Sequence, residues 1–271
     1  MTTQCSQETV VIKIGGSTLG AHDTTLADVA ALQRQGHHLI VVHGGGPAIS
    51  TWLTKLETPT RFVRGLRVTD VPALEVVTAV LAGLINKQLV ASLQALGAPA
   101  FGLSGVDGAM LRAAYEDVEL GLVGRVCNVD AKPLETLLAA GFVPVVAPLA
   151  LLKSEREMVS SGGETPQAQL LNVNADTVAG ELSLALHADR LVFLTDVDGV
   201  RGEKEDTLTT LDVSLAERLL ADGTIAGGMI PKVRAGLRAR GGGAITIILD
   251  GRQPHHLLAM LAGEHSGTWL Q

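Results

Sequence analysis

The sequence predicts an α/β fold in which a mostly parallel β-sheet carries helices on both faces. Apolar runs of strand length, such as TVVIKIGG and HLIVVHGGG, alternate with helical patterns along the 271 residues. These runs lack the polar alternation of a half-exposed sheet, which indicates strands that are buried on both faces. Repeated alternation of such strands with helices is typical of parallel sheets covered by helices.

The elements of the first half follow from these patterns in order. TVVIKIGG gives the first strand and HLIVVHGGG the second, with helices over 26–35 and from Pro47 onward, where proline suits the first turn. Residues 60–69 predict a short hairpin, and Asp70 is a suitable N-cap for a helix over 71–96.

The middle of the chain is less regular. After a strand at 98–103, two strand-like stretches within 110–128 are expected to leave the main sheet. A helix at 133–140 and the strand FVPVVAPLALL follow, and the polar segment 154–169 predicts a loop or hairpin.

The second half resumes the alternation of helices and buried strands. Helices are predicted at 174–187, 214–221 and 228–240, together with the strands RLVFLTDV and AITIILD and a short terminal helix. No linker-like segment divides the chain. We therefore expect one domain over residues 1–271, built as two lobes of one sheet with a boundary near residue 180.

Composition argues against several functional classes. Apolar residues make up 46% of the chain, which is enough for a sizeable core. Aromatic residues make up only 3% and the net charge is -7, so no nucleic-acid partner is expected. Cys5 and Cys127 form no CxxC pair, which predicts neither a zinc site nor a disulfide framework. Because the start lacks signal-peptide features and the longest apolar run, 137–152, is too short for a bilayer, we expect a cytoplasmic protein without membrane contact.

Glycines cluster at the carboxyl ends of predicted strands, at 15–16, 44–46, 199 and 227–228. Ligands of open α/β sheets bind at that edge, where glycine lets backbone N–H groups approach phosphate or carboxylate oxygens. Glycines can also serve only to turn a strand into a helix, so the pattern favours an anion site without naming the anion. Neither GxxxxGK[ST] nor a GxGxxG after the first strand is present, so any nucleotide site must be built in another way.

Three charged residues are candidates for the chemistry. Lys13 lies inside the apolar strand VVIKIGG, where burial is costly unless the ammonium group faces an anion. Lys232 lies in the first turn of a predicted helix, in GGMIPKV, and Asp176 lies at a helix start, in NVNAD. The alternatives are an edge-strand lysine, a surface lysine and a helix-capping carboxylate. If the three met, the aspartate would hold both ammonium groups in place.

His43 permits a different hypothesis, because HGGG forms the oxyanion hole of some α/β-hydrolases. Those enzymes carry their nucleophile in GxSxG, and the nearest match here, Gly102-Leu103-Ser104-Gly105, is one residue short. The hydrolase interpretation is therefore disfavoured. The remaining hypothesis is that His43 orients the glycine loop.

Six motifs resemble, in this order, those of the amino acid kinase superfamily and, within it, the N-acetylglutamate kinases: VVIKIGG, VVHGGGP, RGLRVT, LLNVNAD, FLTDVDGV and GGMIPKV. The resemblance extends over essentially the whole chain, and RGLRVT and NVNAD are its most specific parts. It implies a three-layer αβα sandwich of the carbamate kinase-like type. An N-terminal lobe of about residues 1–180 would bind the acyl amino acid, and a C-terminal lobe of about residues 181–271 would bind MgATP.

The resemblance also implies roles for individual residues. Lys13 and Lys232 would stabilise the transferred phosphoryl group, and Asp176 would position both lysines. Substrate binding would fall to Gly45, Gly46, Arg67 and Asn172, and nucleotide binding to Gly15, Gly16, Asp196, Val197, Asp198, Gly199, Thr224 and Gly228.

The implied reaction transfers a phosphoryl group from ATP, with Mg²⁺, to the γ-carboxylate of N-acetyl-L-glutamate, a step of arginine biosynthesis that yields an acyl phosphate. A carboxylate of this kind has a reference pKa of about 4.3 and is ionised at neutral pH, so no general base is needed. The difficulty is to bring two anions together, which lysines, backbone amides and Mg²⁺ address. Two alternatives stay open: a kinase for carrier-protein-linked aminoadipate or glutamate in lysine biosynthesis, and a non-catalytic amino-acid or nucleotide sensor on the same fold.

Two departures from the family pattern bear on assembly and closure. Arginine-inhibited members resemble one another in an additional N-terminal helix and in a terminal signature rich in His, Glu and Gly. Here the first strand begins near Thr9 and the end is HHLLAMLAGEHSGTWL, so we expect an arginine-insensitive homodimer rather than a hexamer. In addition, the segment 154–169 is longer than expected for the corresponding hairpin.

Overall fold

A mostly parallel sheet of eight strands forms the centre of the computed structural model, which describes residues 7–15, 24–153, 169–204 and 206–271. In chain order the strands are β1 (Thr9–Ile14), β2 (His38–His43), β3 (Phe62–Val63), β4 (Leu66–Arg67), β5 (Ala100–Ser104), β6 (Leu111–Tyr115), β7 (Val123–Val129), β8 (Val143–Ala147), β9 (Leu149–Leu152), β10 (Leu170–Val173), β11 (Arg190–Thr195), β12 (Thr210–Leu211), β13 (Ile245–Asp250) and β14 (Thr268–Leu270). The main sheet has the order β12-β14-β13-β11-β1-β2-β8-β5. Its neighbours run parallel, except for the antiparallel pair β13–β14.

Helices cover both faces of this sheet, which confirms the predicted α/β class. They are α1 (Thr25–Arg34), α2 (Gly46–Lys55), α3 (Val71–Thr78), α4 (Asn86–Ala95), α5 (Lys132–Ala139), α6 (Ala175–Ala185), α7 (Val213–Ala221), α8 (Met229–Arg240) and α9 (His256–Leu261). Alternate residues of β1 point to opposite layers, as the period of a strand requires. Val11 packs in the core with α6 and α8, whereas Val10 and Ile12 pack in the core with α1, α4 and α9.

A small barrel lies beside the main sheet and is formed by β10-β7-β6-β9. It contains the two stretches within 110–128 that were expected to leave the sheet. The predicted strand FVPVVAPLALL is wrong as a single element: it divides at Pro148 into β8 of the main sheet and β9 of the barrel. β8 pairs with β2 and β5, whereas β9 pairs with β6 and β10, so the two pieces belong to different sheets.

The sequence patterns miss three short strands, β10, β12 and β14, which have four residues or fewer and therefore show little periodicity. The predicted loop over 154–169 lies, except for its last residue, outside the described residues, as do Cys5 and Gly16.

The predicted helix over 71–96 is continuous but not uniform. A π-helical segment, Ala79–Ile85, joins α3 to α4, and the Asp70 side chain caps the start by accepting from Ala73 N–H at 2.9 Å. Among the described residues, Val71–Ala95 is the one helix whose length and apolar composition would allow it to cross a membrane. Core helices of soluble proteins meet the same criterion, so this finding assigns no membrane role.

Gly180 allows α6 and α8 to pack closely, because a Cβ at this position would lie 2.8 Å from Ala235 O and 2.9 Å from Ala235 Cα. We expect Gly180→Ala to push the two helices apart and to lower the free energy of unfolding by about 1–3 kcal/mol. Urea denaturation measures this change. Gly83→Ala is the control, since its added Cβ meets nothing within 4 Å in a helical segment and should be neutral or slightly stabilising. Equal losses for both variants would contradict the packing explanation.

Candidate active site

Two lysines and one aspartate meet at the carboxyl edge of the main sheet. Lys13 extends from β1, and Asp176 and Lys232 come from the first turns of α6 and α8. Lys13 Nζ lies 2.9 Å from Asp176 Oδ1, and Lys232 Nζ lies 3.0 Å from Asp176 Oδ2. Lys232 Nζ also donates to Gly228 O at 3.1 Å. The structure therefore places all three predicted side chains in one cluster.

The fold explains why these groups are buried together. β1 lies between β2 and β11, so Lys13 is only 7% exposed, and Asp176 is 5% exposed. Asn174 caps α6 by accepting from the N–H groups of Asp176 and Thr177 at 2.9 and 3.1 Å, which fixes the start of the helix beside β1. Buried charges are costly unless they are paired. One carboxylate here serves two ammonium groups, so the cluster keeps a net positive charge.

A cavity of about 240 Å³ opens beside this cluster. Lys13, Asp176, Arg67, Asn172 and the glycine loop 44–46 contribute to its walls. In the main sheet β2 lies on one side of β1 and β11 on the other, so the order of the strands reverses at β1. In open α/β sheets, ligands usually bind at the carboxyl edge where the strand order reverses. The position and the excess of cationic groups suit a small anionic ligand.

Arg67, on β4, is a buried cation in the wall of this cavity and is 8% exposed. Its Nη2 donates to Gly46 O at 3.1 Å and to Ser50 Oγ at 2.7 Å, and its guanidinium carbon lies 4.7 Å from the centre of the Phe62 ring. Within the described part of the chain, no carboxylate lies within 4.0 Å of its nitrogens. Burial lowers the pKa of this guanidinium, which nevertheless remains charged. Its Nη1 also lies 3.5 Å from Thr60 Oγ1. The two bonds of Nη2 use both of its hydrogens, so a ligand carboxylate would bind this guanidinium through Nε or Nη1.

The glycine loop after β2 presents backbone donors to the cavity. Gly44 N–H donates to Ile14 O at 3.1 Å and thereby joins the loop to β1. Gly45 N–H has no acceptor among the described residues, and Gly46 begins α2, whose first N–H groups lack partners within the helix. His43, immediately before the loop, is 1% exposed, and burial lowers its pKa to about 4.

Asn172 lines the same cavity from β10, where its Nδ2 donates to Thr69 Oγ1 at 3.2 Å. Asn174 lines the cavity too, but its side-chain oxygen is already committed to the first turn of α6. Both asparagines of NVNAD thus line the cavity, and a contact between Asn172 and a ligand stays a prediction.

Those residues predicted for nucleotide binding that the structure describes do not line this cavity but lie elsewhere at the same edge. Residues 196–199 follow β11, the neighbour of β1, and the turn is fixed by reciprocal hydrogen bonds between Thr195 Oγ1 and the backbone of Val197. Thr224 and Gly228 precede α8. Gly15 directly follows β1, whereas Gly16 lies outside the described residues.

The structure does not support Ser104 as the nucleophile of a hydrolase. Ser104 Oγ donates to Asp107 Oδ2 at 2.8 Å, whereas the His43 ring contacts Gly44 O and Asn86 Nδ2. Sequence analysis missed Asn86, because it lies inside a long helical pattern and belongs to no recognisable motif.

Comparison with known proteins agrees with this geometry. The chain matches the model of the amino acid kinase family over residues 8–249. An acetylglutamate kinase of Dehalococcoides mccartyi is 44% identical over 266 residues, which cover 98% of this chain and 95% of that protein. An acetylglutamate kinase of Roseobacter denitrificans is 42% identical over 261 residues, which cover 95% of this chain and 86% of that protein.

Solved structures support the same fold. The protein smu.665 from Streptococcus mutans has a TM-score of 0.79 at 26% identity, with 98% of this chain and 99% of that chain covered. Carbamate kinase from Giardia lamblia has a TM-score of 0.66 at 17% identity, with 98% and 99% covered, and bears on the fold alone. The family model and the nearly full-length relatives together show that the chain belongs to the amino acid kinase family and, within it, to the acetylglutamate kinases.

Proposed function

We propose that this chain transfers the γ-phosphoryl group of ATP to the side-chain carboxylate of N-acetyl-L-glutamate, a step of arginine biosynthesis. The observation that carries the proposal is the placement of Asp176 between Lys13 and Lys232, next to a cavity with a buried guanidinium that has no acidic partner among the described residues. This arrangement provides cationic groups for a phosphoryl group and a separate cation for a carboxylate.

The acyl amino acid would occupy the cavity. Arg67 would bind its α-carboxylate, since this guanidinium has no acidic partner in the described part of the protein. The N–H groups of Gly45 and Gly46 would donate to the substrate, and Asn172 would add a side-chain hydrogen bond. The γ-carboxylate would then face Lys13.

The transfer itself needs positioning and charge stabilisation rather than proton transfer. An oxygen of the ionised γ-carboxylate would attack the γ-phosphorus, the bond from that phosphorus to the β,γ-bridging oxygen would break, and ADP would leave. Lys13 and Lys232 would stabilise the charge on the transferred group, while Asp176 holds both of them. Asp176 is not suited to act as a base, because each of its oxygens already faces an ammonium group.

ATP would bind along the carboxyl edge near Gly15, with Gly16 as a further candidate, and the turns at 196–199 and 224–228 would line its pocket. Among the described residues no group of three or more His, Cys, Asp or Glu side chains is arranged to hold a metal ion. Mg²⁺ would therefore enter as part of the MgATP substrate, held mainly by phosphates and water, as this ion commonly is. It would neutralise charge on the phosphates.

The strands on one side of β1 in the main sheet would belong to one lobe, and those on its other side to the second lobe. Residues up to about 180, which include β2, β5 and β8, would bind the acyl amino acid, and residues after it, which include β11 and β13, would bind the nucleotide. Residue 180 itself lies within α6. The Lys–Asp–Lys cluster also disfavours a non-catalytic sensor, because a sensor does not need cations directed at a transferred phosphoryl group.

A cytoplasmic homodimer without inhibition by arginine is the assembly that we propose. The long helix Val71–Ala95 leaves apolar side chains in solvent, with Val71 62% and Leu84 38% exposed, and the nearby Phe101 is 48% exposed. Exposed apolar surface of this kind is typical of a subunit interface.

Substrate choice tests the proposed function. We expect ATP-dependent hydroxamate formation to be much faster with N-acetyl-L-glutamate than with glutamate, aspartate or N-acetylaspartate. The free amino acids carry an ammonium group that would enter a cavity lined by Lys13 and Arg67, where like charges repel. Activity with free glutamate alone would reject the acylated substrate.

Lys232→Ala tests the phosphoryl-transfer role. Loss of one preorganised cation should lower kcat by roughly 10²–10³-fold, with smaller changes in both KM values. Steady-state kinetics measure the change, and Lys132→Ala, at an exposed position that begins α5, is the control. An unaltered kcat with a raised KM for ATP would remove the assigned role.

Sedimentation equilibrium tests the assembly. The expected particle has twice the chain mass of 28.2 kDa, and L-arginine should leave the rate of the reaction unchanged. A hexamer whose activity falls when arginine is added would contradict this part of the proposal.

A further inference from the structure

His43 ends β2 and makes a hydrogen bond with each of its ring nitrogens. Nδ1 lies 3.0 Å from Gly44 O, and Nε2 lies 3.3 Å from Asn86 Nδ2. A carbonyl oxygen only accepts and an amide nitrogen only donates. Both bonds are satisfied by one neutral tautomer, in which Nδ1 carries the proton and Nε2 is the acceptor.

The bond to Gly44 O fixes the direction of the next N–H group. In a trans peptide the carbonyl oxygen of one residue and the N–H of the following residue point in opposite directions. The structure contains no cis peptide among its described residues. With Gly44 O held by His43, the Gly45 N–H, which has no acceptor in the described part of the chain, is directed away from the imidazole.

Asn86 connects this ring to the rest of the sheet. It is fully buried, and its Nδ2 donates to Val145 O at 2.8 Å and contacts Leu103 O at 3.4 Å. One side chain thus contacts His43 at the end of β2, Val145 in the middle of β8 and Leu103 near the end of β5, which are adjacent strands. A Cβ at Gly102 would lie 2.1 Å from Asn86 Oδ1, so glycine is needed there for the amide to fit.

The π-helical segment before Asn86 packs on the same loop. A Cβ at Gly45 would lie 2.5 Å from Ile85 Cδ1 and 2.7 Å from Leu81 Cδ2. Single π turns within helices are frequent at functional sites. Here the segment packs Leu81 and Ile85 against Gly45 and places Asn86, the residue that follows it, beside His43.

We infer that His43 and Asn86 are positioning residues, which hold the Gly44–Gly45 peptide so that its N–H donates to the acyl amino acid. This inference rests on the proposed function, because it assumes that the cavity binds that substrate. It excludes a role for His43 as a proton acceptor, since both ring nitrogens are occupied and the ring is 1% exposed. Burial, with a smaller contribution from the nearby charge of Lys13, keeps the ring neutral at physiological pH by lowering its pKa to about 4.

A measurement on the unmodified protein tests the hydrogen-bond pattern without any substrate. In ¹⁵N-histidine NMR spectra, His43 should show the Nδ1-protonated tautomer and should not titrate between pH 5.5 and 8, a window above its lowered pKa of about 4. The signal is assigned by its loss in His43→Gln. The Nε2-protonated tautomer, or titration near the ordinary value of about 6.5, would overturn the inference.

Kinetics test the consequence for binding. His43→Gln can still accept from Asn86 but leaves Gly44 O without its donor, so KM for N-acetyl-L-glutamate should rise roughly tenfold or more while KM for ATP stays within about twofold. His43→Asn, whose amide can replace Nδ1, should recover part of this loss. His38→Gln, at the opposite end of β2, is the matched control.

The outcomes separate the two proposals. Absence of activity with N-acetyl-L-glutamate in the unmodified protein would reject the proposed function, whereas the NMR result would stand by itself. An active protein in which His43→Gln leaves KM for N-acetyl-L-glutamate unchanged, or raises both KM values equally, would overturn the positioning role. If His43→Gln fails to fold, the tautomer of the unmodified protein decides, with the His43 signal assigned through His43→Asn.

Discussion

The ion pairs of Asp176 with Lys13 and Lys232 are the constraint on which the rest of the site depends. Removing one partner from a buried set of charges leaves the others uncompensated, which is far more costly than the net value of the pair. The three residues come from β1, α6 and α8, so their contact requires a fixed relation between the central strand and two helices. The close approach of Gly180 to Ala235 holds those helices together. The packing of α6 against α8 therefore determines where these charged groups lie at the carboxyl edge of the sheet.

Lys13 and Asp176 were predictable because each stood in a distinctive local context, whereas the roles of Lys232 and Arg67 were identified through the family resemblance. Lys13 interrupts an apolar strand and Asp176 follows the asparagine that caps α6, so both positions suggested burial with a partner. The order of strands explains why the contact forms, since parallel strands bring their carboxyl ends to one edge. The helices and the long strands were predictable from periodicity, because they are long enough to show a period of 3.6 or 2 residues.

What sequence patterns missed depends on contacts between distant segments. Asn86 is one polar residue in a helical stretch, and only the fold shows that it contacts three adjacent strands. Pro148 is locally compatible with a bend within one strand, but the partners of β8 and β9 lie in different sheets. Gly180 was not singled out in the sequence, and Gly102 was noted only in the near match to GxSxG, because the packing role of both glycines comes from neighbours remote in sequence.

The charges at the cavity and at the adjacent Lys–Asp–Lys cluster connect substrate binding with phosphoryl transfer in the proposed mechanism. Lys13, Lys232 and Arg67 provide three positive charges, and Asp176 is the carboxylate that pairs with two of them. In the proposed complex, an acyl amino acid with two carboxylates would supply negative charge at Arg67, which has no acidic partner among the described residues, and the phosphates of ATP would supply it beside the lysines. Because the cleft without substrate holds excess positive charge in a partly desolvated place, each anion that binds relieves repulsion. In the proposed mechanism, the same cations that attract the substrates would already be in position when charge develops on the transferred phosphoryl group, so binding and catalysis would draw on one preorganised arrangement.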